Sequence, residues 1–189
     1  MFYPVSLRVG GERVLVVGGG AIALRKAQTL VRAGARVVCV APAFRAGFGR
    51  LKAERVRRRF RAADVAGAVL VVASTDDPKT NRAVYDACRR RGIPVNVVDV
   101  PELCSFIVPS ILRRGPVQVA VSTGGKSPSL AKAIRRRLEA LLGPAIGPLA
   151  RKLGEERRRL LRALPPSPGR MRRLKALLTP ADLRKAGLR

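Results

Sequence analysis

Residues 13–27 read Arg-Val-Leu-Val-Val-Gly-Gly-Gly-Ala-Ile-Ala-Leu-Arg-Lys-Ala. The apolar, β-branched run 13–17 predicts a buried strand, and the residues after the glycines have the spacing of a helix. The glycines match the pattern G-x-G-x-x-G/A, in which Gly18 makes the tight turn, Gly20 lets backbone approach a pyrophosphate and Ala23 allows close helix packing. This order of strand, turn and helix predicts a dinucleotide-binding site.

Strands and helices alternate through the first half of the chain. We predict strands at 13–17, 36–41, 55–60, 69–73 and 94–98, and helices at 21–33 and from Pro78 to Gly92. Asp77 is the expected N-cap of the second helix. This alternation predicts an α/β fold with an N-terminal Rossmann-like parallel sheet that is covered by helices on both faces.

The pattern changes after Asp99. Two strands at 105–112 and 117–122, joined by Arg113-Arg114-Gly115-Pro116, predict a hairpin. Ser127 is the expected N-cap of a helix at 128–142, and a helical tail follows from about residue 146. The sequence Pro165-Pro166-Ser167-Pro168 interrupts this tail, which ends in two short helical pieces.

The net charge of +27 predicts an anionic partner or, alternatively, an arginine-rich solvated surface. Basic residues concentrate late in the chain, where residues 111–189 hold 20 Lys and Arg against 4 acids. Nucleic acid is the usual partner of such a chain, but aromatic residues are 4% and Trp is absent, which leaves few platforms for base stacking.

The chain contains no histidine, which excludes Ser-His and Cys-His mechanisms. Its three cysteines stand far apart, so we expect neither a structural metal site nor a disulfide framework. The N-terminus lacks the features of a secretion signal, and the apolar runs are too short to span a bilayer. We therefore expect a cytoplasmic protein without membrane segments.

One residue that usually accompanies such a glycine turn is absent. The acid that holds the ribose hydroxyls should follow about 20 residues on, near Pro42 and Ala43, and none is there. Backbone groups around these two residues, or the loop after them, must replace it. Arg45 is close enough to raise NADP as an alternative to NAD.

A second glycine site resembles the end of a Walker A loop. Its residues are Gly124, Gly125, Lys126 and Ser127. The motif also requires a glycine five positions before Gly125, and that position holds Ala120. We therefore reject a P-loop. Two interpretations stay open: a nest that binds a carboxylate, and an ordinary turn rich in capping residues.

Six blocks of sequence support a more specific assignment. They are Val-Val-Gly-Gly-Gly-Ala-Ile-Ala-Leu-Arg-Lys-Ala (16–27), Ala-Gly-Ala-Arg-Val (33–37), Ala-Ser-Thr-Asp-Asp (73–77) with Asn81, Val-Asn-Val-Val-Asp (95–99), Ser-Phe-Ile-Val-Pro-Ser (105–110) and Val-Ser-Thr-Gly-Gly-Lys-Ser-Pro (121–128). With these blocks the chain resembles the dehydrogenase/ferrochelatase domain of sirohaem synthases, and more closely the stand-alone precorrin-2 dehydrogenases.

The resemblance implies NAD-dependent oxidation of precorrin-2, an anionic tetrapyrrole, to sirohydrochlorin. It implies a homodimer with a nucleotide domain (1–110), a dimerisation region (111–143) and a small C-terminal helical domain that covers the substrate (144–189). Iron insertion by the same site stays open, because some members catalyse both reactions.

The resemblance also assigns site residues. Asp99 is the essential aspartate, acting as a base or orienting the substrate; its position after a predicted central strand also suits a ligand site. A loop-capping aspartate is the alternative interpretation. Cofactor contacts are predicted at Gly18, Gly19, Gly20, Ala21, Ile22, Pro42, Ala43, Ser74 and Thr75. Substrate contacts are predicted at Asn96, Ser105, Thr123, Gly124, Gly125 and Lys126.

Three other functions remain as alternatives. A regulatory domain could bind NAD without chemistry, and it would not depend on Asp99. A nucleic-acid-binding protein would bind with a steep salt dependence and no response to NAD. A dehydrogenase for another anionic substrate would keep the fold but not the match between residues 95 and 128.

Overall fold

The computed structural model of the chain describes residues 2–188 and divides after Ile107 into two units. The first unit contains a five-stranded parallel sheet in the order β3-β2-β1-β4-β5. Its elements are β1 (Arg13–Val17), α1 (Ala21–Arg32), β2 (Arg36–Ala41), β3 (Glu54–Arg57), β4 (Leu70–Ala73), α2 (Pro78–Arg90) and β5 (Val95–Val97). This strand order is that of a Rossmann fold, so the predicted α/β class is confirmed.

The core of the first unit lies on both faces of the sheet. On one face, Val14 and Val16 pack with Ala23 and Ala27 of α1. On the other face, alternate strand residues pack with Val84 and Ala87 of α2. Because both faces are covered, the strands are continuous apolar runs.

Three short 3₁₀ helices lie in the loops of this unit, at Phe48–Arg50, Ala62–Val65 and Pro101–Leu103. The predicted N-cap of α2 is confirmed, because the Asp77 carboxylate accepts hydrogen bonds from the backbone N–H groups of Lys79 (3.0 Å) and Thr80 (3.2 Å).

The strand predicted at 55–60 is wrong at its C-terminal end, because β3 stops at Arg57. Arg58 turns away and donates two hydrogen bonds to the carboxylate of Asp64, at 2.8 and 2.6 Å. The carboxylate also accepts from the backbone N–H of Arg61 at 2.8 Å. This ion pair fixes the loop and ends the strand.

The second unit begins with an antiparallel hairpin followed by helices. Its elements are β6 (Ser110–Arg114), β7 (Val117–Val121), α3 (Pro128–Leu141), α4 (Ile146–Ala163), α5 (Pro168–Lys175) and α6 (Pro180–Lys185). The predicted cap of α3 is present, since the Ser127 hydroxyl accepts a hydrogen bond from the Leu130 N–H at 3.3 Å. No helix within residues 2–188 is long and apolar enough to cross a membrane.

The hairpin differs from its prediction at both ends. The strand expected from 105 starts at Ser110, because the chain around Ser105 is hydrogen-bonded to β5 instead. The expected four-residue turn is reduced to Gly115-Pro116, and Arg114 pairs with Val117 in the ladder. Gly115 has a φ of 60°, which a tight two-residue turn requires and glycine adopts readily.

Candidate functional site

The glycine turn joins β1 to α1 and contacts two neighbouring loops. Gly18 has a φ of 130°, and a Cβ placed on it would lie 2.5 Å from the carbonyl oxygen of Ser74. A Cβ on Gly19 would lie 1.8 Å from the carbonyl oxygen of Ala43. At Gly20, by contrast, a Cβ would meet nothing within 4 Å. The protein's own packing therefore requires the first two glycines, whereas the space at Gly20 is open.

The N-terminus of α1 faces this open space. Gly20 is its N-cap, and no side chain caps the helix or places an acid in its first turn. Ala21 and Ile22 are exposed. The free N–H groups and the dipole of such a terminus favour an anion such as a pyrophosphate.

The loop after β2 lies against the same turn. The N–H of Arg45 donates a hydrogen bond to the carbonyl oxygen of Gly19 at 2.9 Å, and the N–H of Gly18 donates to Val40 at 2.9 Å. Pro42 and Ala43 are exposed beside them. The structure therefore brings these two predicted cofactor residues to the glycine turn.

Ser74 and Thr75 follow β4, the strand next to β1. The Ser74 hydroxyl oxygen is the one buried side-chain N or O atom within residues 2–188 that has no hydrogen-bond partner. Thr75 differs, because its hydroxyl donates to Oδ1 of the buried Asn81 at 2.9 Å. An unpartnered buried hydroxyl beside Gly18 and open space at Gly20 fit a nucleotide that supplies the missing contacts.

Asp99 lies in the turn that follows β5, at the carboxyl edge of the sheet. The turn is closed by a hydrogen bond from the Val100 N–H to the Val97 carbonyl oxygen at 3.3 Å. Asp99 is exposed and has a φ of 61°, the only positive value at a non-glycine residue among those described. Such backbone conformations are costly for residues other than glycine and cluster at functional sites.

Lys26 of α1 is electrostatically coupled to Asp99. Burial lowers the pKa of the half-buried Lys26 ammonium, and the charge of Arg25 lowers it further. The Asp99 carboxylate and Cys104 act in the opposite direction and raise this pKa. Lys26 was not predicted from the sequence, because its proximity to Asp99 comes from the packing of α1 rather than from a motif.

Cys104 closes the other side of this turn. Its thiol donates towards the carbonyl oxygens of Val97 (3.1 Å) and Val100 (3.3 Å). Burial is the main cause that raises the pKa of the Cys104 thiol, and the charge of Lys26 partly opposes it. Since the neutral thiol is favoured, Cys104 holds the loop rather than acting as a nucleophile.

Asn96 and Ser105 hold the returning chain against β5. The Asn96 amide donates to the Phe106 carbonyl oxygen at 3.0 Å, and the Ser105 hydroxyl accepts from the Val95 N–H at 2.8 Å. Both polar groups are thus hydrogen-bonded to the chain itself. Their assignment to substrate binding stays a prediction.

The predicted substrate turn of the second unit connects β7 to α3. Thr123 uses its hydroxyl within the turn, donating to the Ser127 carbonyl oxygen (3.0 Å) and accepting from the Ser127 N–H (2.9 Å). Gly124, Gly125 and Lys126 are exposed, and both glycines have positive φ values. The Lys126 ammonium is therefore accessible to an anion, while the Thr123 hydroxyl supports the turn.

The helical tail also presents a basic surface. Arg158, Arg159 and Arg162 line an open cavity of about 440 Å³ on α4, together with Glu155. Three guanidinium groups against one carboxylate leave this face of the helix positive. Such a surface suits a carboxylate-rich ligand.

Two family profiles match consecutive parts of the chain. Residues 5–110 match a family described as NAD(P)-binding, and residues 114–141 match the central region of sirohaem biosynthesis proteins. The two matches follow the order of the two structural units.

Curated relatives and a solved structure agree with these profiles. A siroheme synthase of Thioalkalivibrio sulfidiphilus is 52% identical over 79% of this chain and 31% of its own length. Siroheme synthase 1 of Halorhodospira halophila is 46% identical over 90% of this chain and 36% of its own length. The chain thus spans about a third of these relatives. The structure of SirC, a precorrin-2 dehydrogenase, is 27% identical, with a TM-score of 0.74 over 97% of this chain and 96% of that one.

Proposed function

We propose that this chain, which belongs to the NAD(P)-binding family matched over residues 5–110, oxidises precorrin-2 to sirohydrochlorin with NAD. The first unit would bind the cofactor through the glycine turn. The oxidation removes two hydrogens from the substrate, one as a hydride and one as a proton.

One structural observation supports this proposal most directly. In the sheet, β1 neighbours β4, and β4 neighbours β5. Gly18, Ser74 and Asp99 follow these three strands, so the glycine turn, the unpartnered hydroxyl and the exposed carboxylate lie in series along one sheet edge. Ligands of open α/β sheets bind at this edge.

Each group has a task in the proposed reaction. The cofactor, when bound, supplies the acceptor for the hydride. Asp99 takes the proton from the reduced macrocycle, as a carboxylate can in a chain without histidine. The unpartnered Ser74 hydroxyl would form a hydrogen bond with the cofactor. The N-terminus of α1 would bind its pyrophosphate.

Lys26 acts as a positioning residue for Asp99. Its ammonium attracts the carboxylate, which lies in an exposed turn and has no side-chain hydrogen bond among the described residues. Because the lysine is half-buried on α1, water screens its charge less than that of a surface lysine. This attraction would hold Asp99 towards α1 and the cofactor.

We also propose that the protein is a cytoplasmic homodimer that assembles through α3. Leu130, Ile134 and Leu141 are exposed by 52%, 41% and 58% and recur at helical spacing. They lie in the region predicted for dimerisation, and a second copy of the same face would cover them.

The proposed function is tested by mixing the protein with NAD and anaerobically prepared precorrin-2 and following NADH and the sirohydrochlorin spectrum. We expect activity for the wild type and a loss of about 10²–10⁴-fold for Asp99→Asn, the usual contribution of a general base. Asparagine tolerates the left-handed backbone, so this variant should keep the turn. Glu102→Gln, which removes a charge from the same loop, is the matched control.

Absence of NADH formation by the wild type would refute the proposed function. Full activity of Asp99→Asn would refute the assignment of the base. Ferrous ion added to the product mixture then tests for iron insertion, since chelation changes the absorption spectrum of the macrocycle.

A further inference from the structure

A cavity of about 510 Å³ is lined by the loop that follows β2 and by the edge strand β3. Four of its lining residues are arginines, namely Arg45, Arg50, Arg55 and Arg57. We call it the arginine cavity. Its other lining residues lie between 44 and 49 and are phenylalanine, alanine and glycine, so no carboxylate lines it.

The loop that forms one wall of the arginine cavity is held by packing and by a backbone hydrogen bond. The ring of Phe48 is buried and packs against the ring of Phe44, with 5.0 Å between the two centroids. The Phe48 N–H donates a hydrogen bond to the Arg45 carbonyl oxygen at 3.1 Å. From β3, a guanidinium nitrogen of Arg55 reaches this loop, since it lies 3.8 Å from the position of a Cβ on Gly49. The fold therefore fixes the backbone around the cavity.

The charges of the arginine cavity are not neutralised by the protein. Across residues 2–188, none of its four arginines takes part in an ion pair within 4.0 Å. Arg58, the residue after β3, shows the contrast, because it is paired with Asp64 at 2.6 Å. Glu54 directly precedes Arg55 in β3, and successive side chains of a strand point to opposite faces. Four guanidinium groups around one cavity repel one another, and a bound anion removes this repulsion.

The arginine cavity begins where the ribose of the cofactor is expected. Arg57, the last residue of β3, pairs with Ala41, the last residue of β2. The Arg45 N–H donates a hydrogen bond to the carbonyl oxygen of Gly19 in the glycine turn at 2.9 Å. In dinucleotide-binding folds, an acid near the end of the second strand accepts hydrogen bonds from the ribose of NAD. Residues 41–43 are Ala-Pro-Ala, so this chain has no acid there.

A free oxyanion such as phosphate or sulfate would supply both the missing negative charge and the missing acceptor. Its oxygens accept paired hydrogen bonds from planar guanidinium groups, and another oxygen can accept from a ribose hydroxyl. We propose that the arginine cavity binds a free tetrahedral oxyanion, which takes the place of the missing acid and strengthens the binding of NAD. The proposal rests on the proposed function, because NAD is the cofactor that this anion contacts.

The experiment measures the dissociation constant of NAD by isothermal titration calorimetry in three buffers of equal ionic strength. One buffer contains only chloride, and in the other two phosphate or sulfate replaces part of the chloride. For the wild type, we expect the dissociation constant of NAD to fall about tenfold in either oxyanion, the effect of one hydrogen bond to a charged group.

Two double variants of equal charge separate the cavity from the general positive charge of the protein. Arg45→Gln/Arg57→Gln should bind NAD within about threefold of the wild-type affinity in chloride, whichever anion is present. Both side chains are exposed, so this variant should fold. Arg89→Gln/Arg90→Gln removes the same charge from the last turn of α2 and should keep the response to phosphate and sulfate.

A wild-type dissociation constant for NAD that is the same in all three buffers overturns the inference. A constant that rises with phosphate also overturns it, because the anion would then compete with the pyrophosphate of NAD. Equal responses of the two double variants overturn it as well, since total charge would then explain the effect. All three results leave the proposed function intact, because NAD still binds.

Failure of the wild type to bind NAD in every buffer refutes the proposed function itself. Titration of phosphate into the protein without NAD then tests the cavity alone. Phosphate binding that is lost only in Arg45→Gln/Arg57→Gln supports the anion site, and any other result overturns it.

Discussion

Gly20→Ala should separate cofactor binding from folding. The added methyl group meets nothing within 4 Å in the protein, and Gly20 has a φ of −82°, which alanine adopts without strain. Alanine is a poorer N-cap than glycine by a few tenths to about 1 kcal/mol, but it restricts the unfolded chain by a similar amount. The free energy of unfolding should therefore change by less than about 1 kcal/mol.

The methyl group should nevertheless weaken the binding of NAD. It occupies the space through which a pyrophosphate approaches the N-terminus of α1. Displacing the phosphates breaks one or two hydrogen bonds to a charged group, each of about 1.5–3 kcal/mol. Since 1.4 kcal/mol corresponds to a factor of ten, we expect the dissociation constant for NAD to rise at least about tenfold.

Gly18→Ala and Gly143→Ala are the comparison variants. A Cβ on Gly18 lies 2.5 Å from backbone, at a φ of 130°, so this variant should lose about 2–4 kcal/mol of stability. Gly143 has open space and no positive φ, and it lies outside the site. Urea unfolding and calorimetric titration with NAD measure both effects. Wild-type affinity of Gly20→Ala for NAD, or a free energy of unfolding as low as that of Gly18→Ala, would refute this prediction.

Asp64, the two buried cysteines and Lys26 each allow a direct test. A hydrogen bond from the Arg58 guanidinium holds the pKa of Asp64 below its usual 3.8. Asp64→Asn should therefore lower the free energy of unfolding at neutral pH, measured with urea, by about 1–3 kcal/mol. The difference from wild type should shrink as the pH falls below 3.8 and the folded carboxylate protonates; a constant difference would contradict this. Burial raises the pKa of the Cys39 thiol to about 12 and that of the Cys88 thiol to about 11. After treatment of the folded protein with an alkylating reagent at neutral pH, mass spectrometry should therefore find both cysteines unmodified. Rapid alkylation would contradict this prediction and show that these sites open. Lys26→Met should lower kcat roughly tenfold, which corresponds to about 1.4 kcal/mol of charge attraction. Lys26→Arg should restore kcat, and the affinity for NAD should not change in either variant. An unaltered kcat of Lys26→Met would refute the positioning role of Lys26.

The local sequence pattern was sufficient to predict β1, α1 and β2 of the first unit. The strand 13–17, the glycine turn and the helix that follows are each specified by neighbouring residues, and β2 also lies where it was predicted. The cap at Asp77 was equally visible, because an N-cap acts on the residues immediately after it.

Features that depend on distant residues could not be predicted in this way. The end of β3 is set by the ion pair between Arg58 and Asp64, and the late start of β6 is set by the bonds of Asn96 and Ser105. Strand propensity depends on residue type and does not include such side-chain hydrogen bonds to distant residues.

The candidate site shows the same division. Asp99 was predicted from its place after a strand and from a resemblance, whereas its left-handed backbone conformation was not predicted. The role of Lys26 could not be predicted, since its position beside Asp99 depends on the packing of α1 against a distant loop.

We propose that this chain transfers a hydride from precorrin-2 to NAD. The most direct measurement is the stoichiometry of the anaerobic reaction, with NADH and the oxidised macrocycle quantified in the same sample at limiting precorrin-2. We expect one NADH for each sirohydrochlorin formed, and no product when NAD is omitted. Sirohydrochlorin formed without NADH, or no reaction with intact precorrin-2 and bound NAD, would contradict it.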